Sequence, residues 1–240
     1  MRVWAAMRTD ALLQARNQLY AISIGVSLLS AGALAWLSPH DQLAGTVPLT
    51  LLAFAGGSTL LYVVAMVLLE RADGTLSAVV VSPLRSWEYL ASKVATLTFL
   101  AFLEGALIAG GGILLLSRTG AVPTPNLGLL ALGLVALGVM HVLVGIVLVV
   151  RFERLLDALL PMSLIATALQ LPAAFFVGAV ESPALLAIPS AMPTMLIRGA
   201  FVPLEPWEWA YAIGGTVVVC VLLGGWALHA FERHVVGRGR

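Results

Sequence analysis

Cysteine and charge are both scarce in this chain. A single cysteine, Cys220, stands among 240 residues. That excludes a disulfide framework and a cysteine metal site, and leaves Cys220 as a small packing residue. Only 10% of the residues are charged, and no nucleic-acid partner is expected. No G-x-x-x-x-G-K-[ST] occurs, so the chain has no phosphate cradle of its own. Gly56-Gly57, Gly110-Gly111-Gly112, Gly214-Gly215 and Gly224-Gly225 lie in apolar stretches without a following lysine. Close helix packing is the role expected of them, because small residues let backbones approach in lipid. Ser58 and Ser163 have His141 as a conceivable base, but neither sits in a G-x-S-x-G context, so an intramembrane hydrolase has little support.

What the chain has in abundance is apolar surface. Hydrophobic residues make up 60% and the mean hydropathy is +1.02, more than a soluble fold of this length can hide. Runs of about 20 apolar residues match a hydrocarbon core of roughly 30 Å at about 1.5 Å per residue. Six such runs occur, at 19–37, 47–69, 94–116, 127–150, 158–179 and 209–231. They must be helices, since lipid offers no partner for an open backbone group. The expected fold is therefore an all-α membrane protein with six transmembrane helices, in one domain over residues 1–240.

Arginine and lysine give the orientation. Arg2, Arg8, Arg16, Arg71, Arg85, Lys93, Arg151, Arg154, Arg233, Arg238 and Arg240 are 11 of the 13 positive residues and fall on one side, against Arg118 and Arg198 on the other. The positive-inside rule makes that side cytoplasmic and places both termini there. The opening residues are too polar for a cleavable signal. Trp4, Met7, Ala11, Ala15 and Leu19 recur at helical spacing, with Asp10, Gln14 and Asn17 on another side. Residues 1–18 are expected to form a helix in the cytoplasmic interface, the alternative being a polar leader to the first span.

The second connection is unusually charged and punctuated. Residues 68–93, "LLERADGTLSAVVVSPLRSWEYLASK", hold six charges, an Asp73-Gly74-Thr75 turn signal and a Ser82-Pro83 break. Leu76 to Val81 forms a short apolar stretch between them, and Ser86 is a plausible N-cap with Glu88 in the following first turn. An interfacial hairpin and a docking surface for a cytoplasmic partner are both open readings. The pattern Glu-Arg-x-x-Gly-Thr-Leu at 70–76, Ser-Pro at 82–83 and Trp-Glu-Tyr-Leu-x-x-Lys at 87–93 resembles the cytoplasmic signature of ABC type-2 permeases. With "DALLQARNQLYAI" at 10–22, it is most similar to the fluoroquinolone or multidrug export permeases of actinobacteria. The membrane subunit of haem exporters shares a similar "DGTL" and "SPL" pattern.

The resemblance implies a permease that is not itself an enzyme, with ATP and Mg bound by a separate cytoplasmic ATPase. It implies a second permease subunit, identical or homologous, and export of an amphipathic small molecule across the bacterial cytoplasmic membrane. Residues 70–93 become the coupling segment, with Glu70, Arg71, Asp73, Gly74, Thr75, Leu76 and Arg85 as its contact residues. Residues 181–208 become a re-entrant element at the outer end. That segment holds Pro183, Pro189, Pro193, Pro203 and Pro206 around the apolar "ALLAIPSAMPTMLI", enough to enter a membrane but too broken to cross it. An apolar lid at the outer interface is the alternative. Trp207 and Trp209 read as interfacial anchors.

Three polar residues are expected near mid-membrane: Glu104, His141 and Gln170. A carboxylate there costs about 2.5–3.5 kcal/mol on insertion scales, so Glu104 must face protein or water, or be protonated. Pairing with His141 would lower that cost. A polar clasp, a lining of the pathway and a proton relay are the roles open to the three. The rival from another class is a proton-coupled secondary transporter using Glu104 and His141, but it normally shows repeated halves, and none is evident here.

Overall fold

Among the residues that the computed structural model describes, 2–75 and 84–236, six helical stretches are long and apolar enough to cross a membrane. A separate helix, α1 (Arg2–Arg16), precedes them, and the spans are α2 (Leu19–Leu37), α3 (Leu43–Ala72), α4 (Ser86–Leu116) and α5 (Leu127–Val149). The fifth consists of α6 (Leu155–Gln170) and, after a turn at Leu171-Pro172, the short α7 (Ala173–Phe176). Helix α8 (Ala191–Gly199) precedes the last span, α9 (Pro206–Val235). The chain is thus an all-α, multi-pass membrane protein.

Several spans extend past the apolar runs that announce them. Helix α4 starts at Ser86, well before the run at 94, because backbone hydrogen bonding continues beyond the hydrocarbon core whereas hydropathy records only the core. The N-cap is Arg85 and not Ser86: the Glu88 carboxylate accepts from the Arg85 N–H at 2.8 Å, satisfying a donor at the helix start. Residues 76–83, including Leu76, the Leu76–Val81 stretch and Ser82-Pro83, lie outside the described residues.

Helices α3 and α5 form the centre of the bundle, and the outer faces of α2, α6 and α9 are the most exposed. Exposed Trp36, Leu29, Leu160, Val221 and Leu222 give these helices an apolar outer surface, as lipid requires. Some glycine runs act as close-packing sites and others do not. A Cβ at Gly56 would lie 2.8 Å from His141 Nε2, and one at Gly145 2.9 Å from Val63. Gly110, Gly214, Gly224 and Gly225 face open space, so the packing role expected of every run holds for only some members. Cys220 packs, partly buried, against the core.

Helix α3 is not regular. Pro48 lies within it, and residues Leu51–Gly56 form a π-helical segment. Proline supplies no N–H to the ladder, and wider turns of this kind leave carbonyls open to other donors. Ala53 O receives such a donor, the Gln170 side-chain amide, at 3.1 Å.

The proline-rich segment before α9 is folded against the bundle. Helix α8 buries Ala191, Met195 and Ile197 completely, and a Cβ on Gly133 of α5 would meet Ile197 Cγ1 at 2.6 Å. The Ser190 hydroxyl donates to Leu169 O at 2.5 Å and the Tyr211 hydroxyl to Leu186 O at 2.5 Å. Arg198 pairs with Glu208 at 2.7 Å, tying α8 to the start of α9. Trp207 is exposed, whereas Trp209 packs partly buried beside α8.

Candidate functional site

Two buried polar clusters stand out, one at the Glu70 end of the α3–α4 pair and one near its middle. The first gathers Asp10 of α1, Glu70 near the end of α3, and Lys93 of α4. Lys93 Nζ contacts Asp10 Oδ1 at 2.5 Å and also pairs with Glu70 Oε1. The Tyr89 hydroxyl donates to Glu70 Oε2 at 2.7 Å, and the Ser92 hydroxyl donates to Asp10 Oδ2. Lys93, the only lysine of the chain, is fully buried, and Asp10 and Glu70 nearly so. A buried charge is tolerated when it is both paired and hydrogen-bonded, and each member here satisfies that condition.

This cluster fixes which side of α1 meets the bundle. Asp10 and Gln14 are buried, while Trp4 is 75% and Leu12 62% exposed. The Asp10–Gln14 side of α1 packs on α4, and Trp4 and Leu12 are turned outward. The ion pair to Lys93 is the physical reason, since a lysine at that depth must have a carboxylate.

The residues expected to form a cytoplasmic contact divide into two groups. Glu70 is buried in the ion cluster, and Arg71 donates to Phe152 O and, at 3.4 Å, to Val150 O, just past the end of α5. Both look inward. Asp73, Gly74, Thr75 and Arg85 are exposed. Gly74 has φ 71°, a left-handed conformation that glycine adopts without penalty, and its N–H returns to Arg71 O at 3.2 Å. The exposed turn therefore rests on a base bolted to α1, α4 and α5.

Because the Arg71 guanidinium reaches two carbonyls, lysine is not an equivalent substitute. For Arg71→Lys, trypsin is expected to cut purified protein at Arg151 and Arg154 several-fold faster than in wild type. An unchanged cleavage rate would show that the bridge does not hold that connection.

The second cluster surrounds Glu104, which is completely buried. The Ser58 hydroxyl donates to Glu104 Oε1 at 2.6 Å and the Ser23 hydroxyl to Oε2 at 3.1 Å. Tyr62 OH is buried beside the same carboxyl group without completing a hydrogen bond. Glu104 thus gathers α2, α3 and α4. It does not pair with His141, whose Nδ1 meets Leu137 O of its own helix at 2.9 Å and whose ring covers Gly56. Gln170 belongs to a third place: it closes α6 and reaches Ala53 O. The three do not bond to one another: Glu104 is held by serines of α2 and α3, His141 by a carbonyl of its own helix, and Gln170 by a carbonyl of α3.

The sequence does not mark Asp10, Tyr89 and Lys93 as a unit, nor Ser23 and Tyr62, and it offers Ser58 only as a hydrolase nucleophile. Partial signals exist for both sets. A lone lysine spaced one helical turn from Tyr89 marks one face of α4, and Ser23, Ser27 and Ser30 form a polar stripe on an otherwise apolar α2.

Beside the second cluster runs an open groove of about 460 Å³ between α2, α3 and α6, lined among others by Phe54, Ser58, Met162, Ser163, Thr167 and Gln170. Its walls are mainly apolar with a few hydroxyl and amide groups, as in small-molecule sites.

Six apolar spans preceded by a separate helix are the plan of an ABC type-2 permease. Residues 1–239 match the model of the fluoroquinolones export permease protein family, and the chain belongs to that family. It is similar to the fluoroquinolones export permease proteins of Mycobacterium tuberculosis strains CDC 1551 / Oshkosh and ATCC 25618 / H37Rv. Each is 28% identical over 254 aligned residues, covering 99% of this chain and 98% of the relative. The chain is accordingly the permease subunit of an ABC-type exporter.

Proposed function

We propose that the chain forms half of the translocation pathway of an exporter for amphipathic drug-like molecules, fluoroquinolones among them, in the bacterial cytoplasmic membrane. A second permease, identical or homologous, completes the pathway, and a separate cytoplasmic ATPase with ATP and Mg drives it. Both termini and the 70–93 segment face the cytoplasm, as the arginine distribution supports. Residues 181–208 act as a re-entrant element at the outer end.

The observation that carries this reading is the Asp10–Lys93–Glu70 cluster beneath an exposed turn. A push on Asp73-Gly74-Thr75 passes through Glu70 and Arg71 to α1, α4 and the end of α5. Packed interfaces of this kind shift between discrete arrangements and do not bend continuously. ATP-driven movement of a docked partner would thereby tilt the spans and shift the inward and outward populations.

The test must spare the buried base and alter only what is exposed. Asp73→Lys is expected to lose at least about tenfold of the ATPase recovered with the subunit from membranes, together with vanadate-sensitive ATP hydrolysis. Thermal stability should stay within about 0.5 kcal/mol, as for surface changes. Full ATPase recovery with the altered turn would refute the coupling assignment.

A further inference from the structure

The groove between α2, α3 and α6 has a chemical bias that its apolar walls conceal. Ser58 lines it, and the Ser58 hydroxyl lies 2.6 Å from Glu104 Oε1 but 3.2 Å from Ala55 O. A serine has one proton to donate, and the shorter contact directs it to the carboxyl group. The oxygen lone pairs of Ser58 remain for a donor arriving from the groove. Glu104 lies behind this wall, fully buried, and contributes no surface to the groove.

Among the described residues the carboxyl group has no cationic partner. Their ion pairs are Lys93 with Asp10, Lys93 with Glu70, and Arg198 with Glu208. Glu104 meets the Ser23 and Ser58 hydroxyls, one at each oxygen, with the Tyr62 hydroxyl beside them. Two hydroxyls, one at each oxygen, give an ionised carboxylate the donors it requires. Such a charge in an apolar bundle is stabilised by any cation brought near it.

We infer that Ser58 and Glu104 form the polar anchor of the cargo groove and select amphipathic molecules that carry a protonated amine. The ammonium donates to Ser58 Oγ, whose own proton is held by the Glu104 carboxylate. This two-link chain ends in a negative charge, which polarises and strengthens it. The apolar body of the cargo lies against Phe54 and Met162. A volume of about 460 Å³ is within the usual range of about 300–1,000 Å³ for drug-sized ligands. The inference rests on the reading of the chain as a drug exporter and adds which end of the drug is recognised. Glu104 acts through Ser58 and is a positioning residue.

The test uses the subunit purified with its ATPase in proteoliposomes, and two probes: a fluoroquinolone with a free piperazinyl amine and its N-acetyl derivative, which cannot take up the proton. Binding is measured without ATP. Wild type is expected to hold the amine at least about tenfold tighter than the acetyl derivative, and Glu104→Gln is expected to bring that ratio close to unity. Ser58→Ala, at a half-buried position, is expected to reduce the ratio several-fold and serves if Glu104→Gln does not yield folded protein. An unchanged ratio in both variants, equal affinity of wild type for the two probes, or binding of neither overturns the inference. ATP-driven uptake into inverted vesicles reads the exporter function separately. Uptake of both probes at similar rates with no amine preference in binding would leave the exporter and remove the anchor. Amine-selective binding without ATP-driven uptake would do the reverse.

Discussion

Replacing Lys93 by methionine is expected to lower the thermal unfolding midpoint of the purified subunit by about 10 °C. The residue is fully buried and holds Asp10 and Glu70, so its loss leaves two carboxylates facing one another with no cation between them. Removing one partner of a buried ion network costs about 3–5 kcal/mol, and for a chain of about this size each kcal/mol is worth roughly 2–4 °C. The triple change Lys93→Met/Asp10→Asn/Glu70→Gln removes every charge but keeps acceptors for the Tyr89 and Ser92 hydroxyls. It is expected to recover most of the lost stability. Recovery of stability without recovery of ATPase coupling would identify the cluster as a transmission element as well as a clamp. If Lys93→Met alone unfolds like wild type, the cluster does not secure α1.

The second large effect is expected at the other end of the bundle. A Cβ on Gly133 would stand 2.6 Å from Ile197 Cγ1 and 2.9 Å from the Ile197 backbone nitrogen. A flexible side chain can yield to such a contact, but a backbone atom of a buried helix cannot. Gly133→Val should therefore push α8 away from α5, at a cost of about 1–3 kcal/mol for overpacking. Drug uptake into inverted vesicles is expected to fall at least about tenfold while the protein remains membrane-inserted. Adding Ile197→Ala removes the side-chain clash but leaves the backbone nitrogen, so it should restore only part of the activity. Normal uptake by Gly133→Val would mean that close contact of α8 with α5 is not needed for transport.

The fold class and the number of spans were legible in the sequence because they depend on solvent and length alone. A run of about 20 apolar residues has one solution in lipid, a helix that satisfies its own backbone. The turn at Gly74 was legible for a similarly local reason, since its left-handed conformation is one that glycine favours. The permease resemblance at 70–93 was likewise carried by contiguous residues, and the family match over residues 1–239 agrees with it.

Where each polar side chain turns was decided only in three dimensions. The residues Glu70 and Arg71 sit in the same sequence motif as Asp73, yet they are drawn inward by Lys93 and by the end of α5. Glu104 and His141 occupy adjacent spans at comparable depth, yet the carboxyl group is claimed by Ser23 and Ser58 and the imidazole by Leu137 O. Asp10, on what looks like the wet side of a surface helix, is buried against the only lysine. Sequence by itself determined that these groups must be satisfied, because an unpaired polar group in an apolar medium is costly. Only the packing of the helices decided by whom, because hydrogen bonds and ion pairs act over about 3 Å between atoms that the chain brings together from positions up to 117 residues apart.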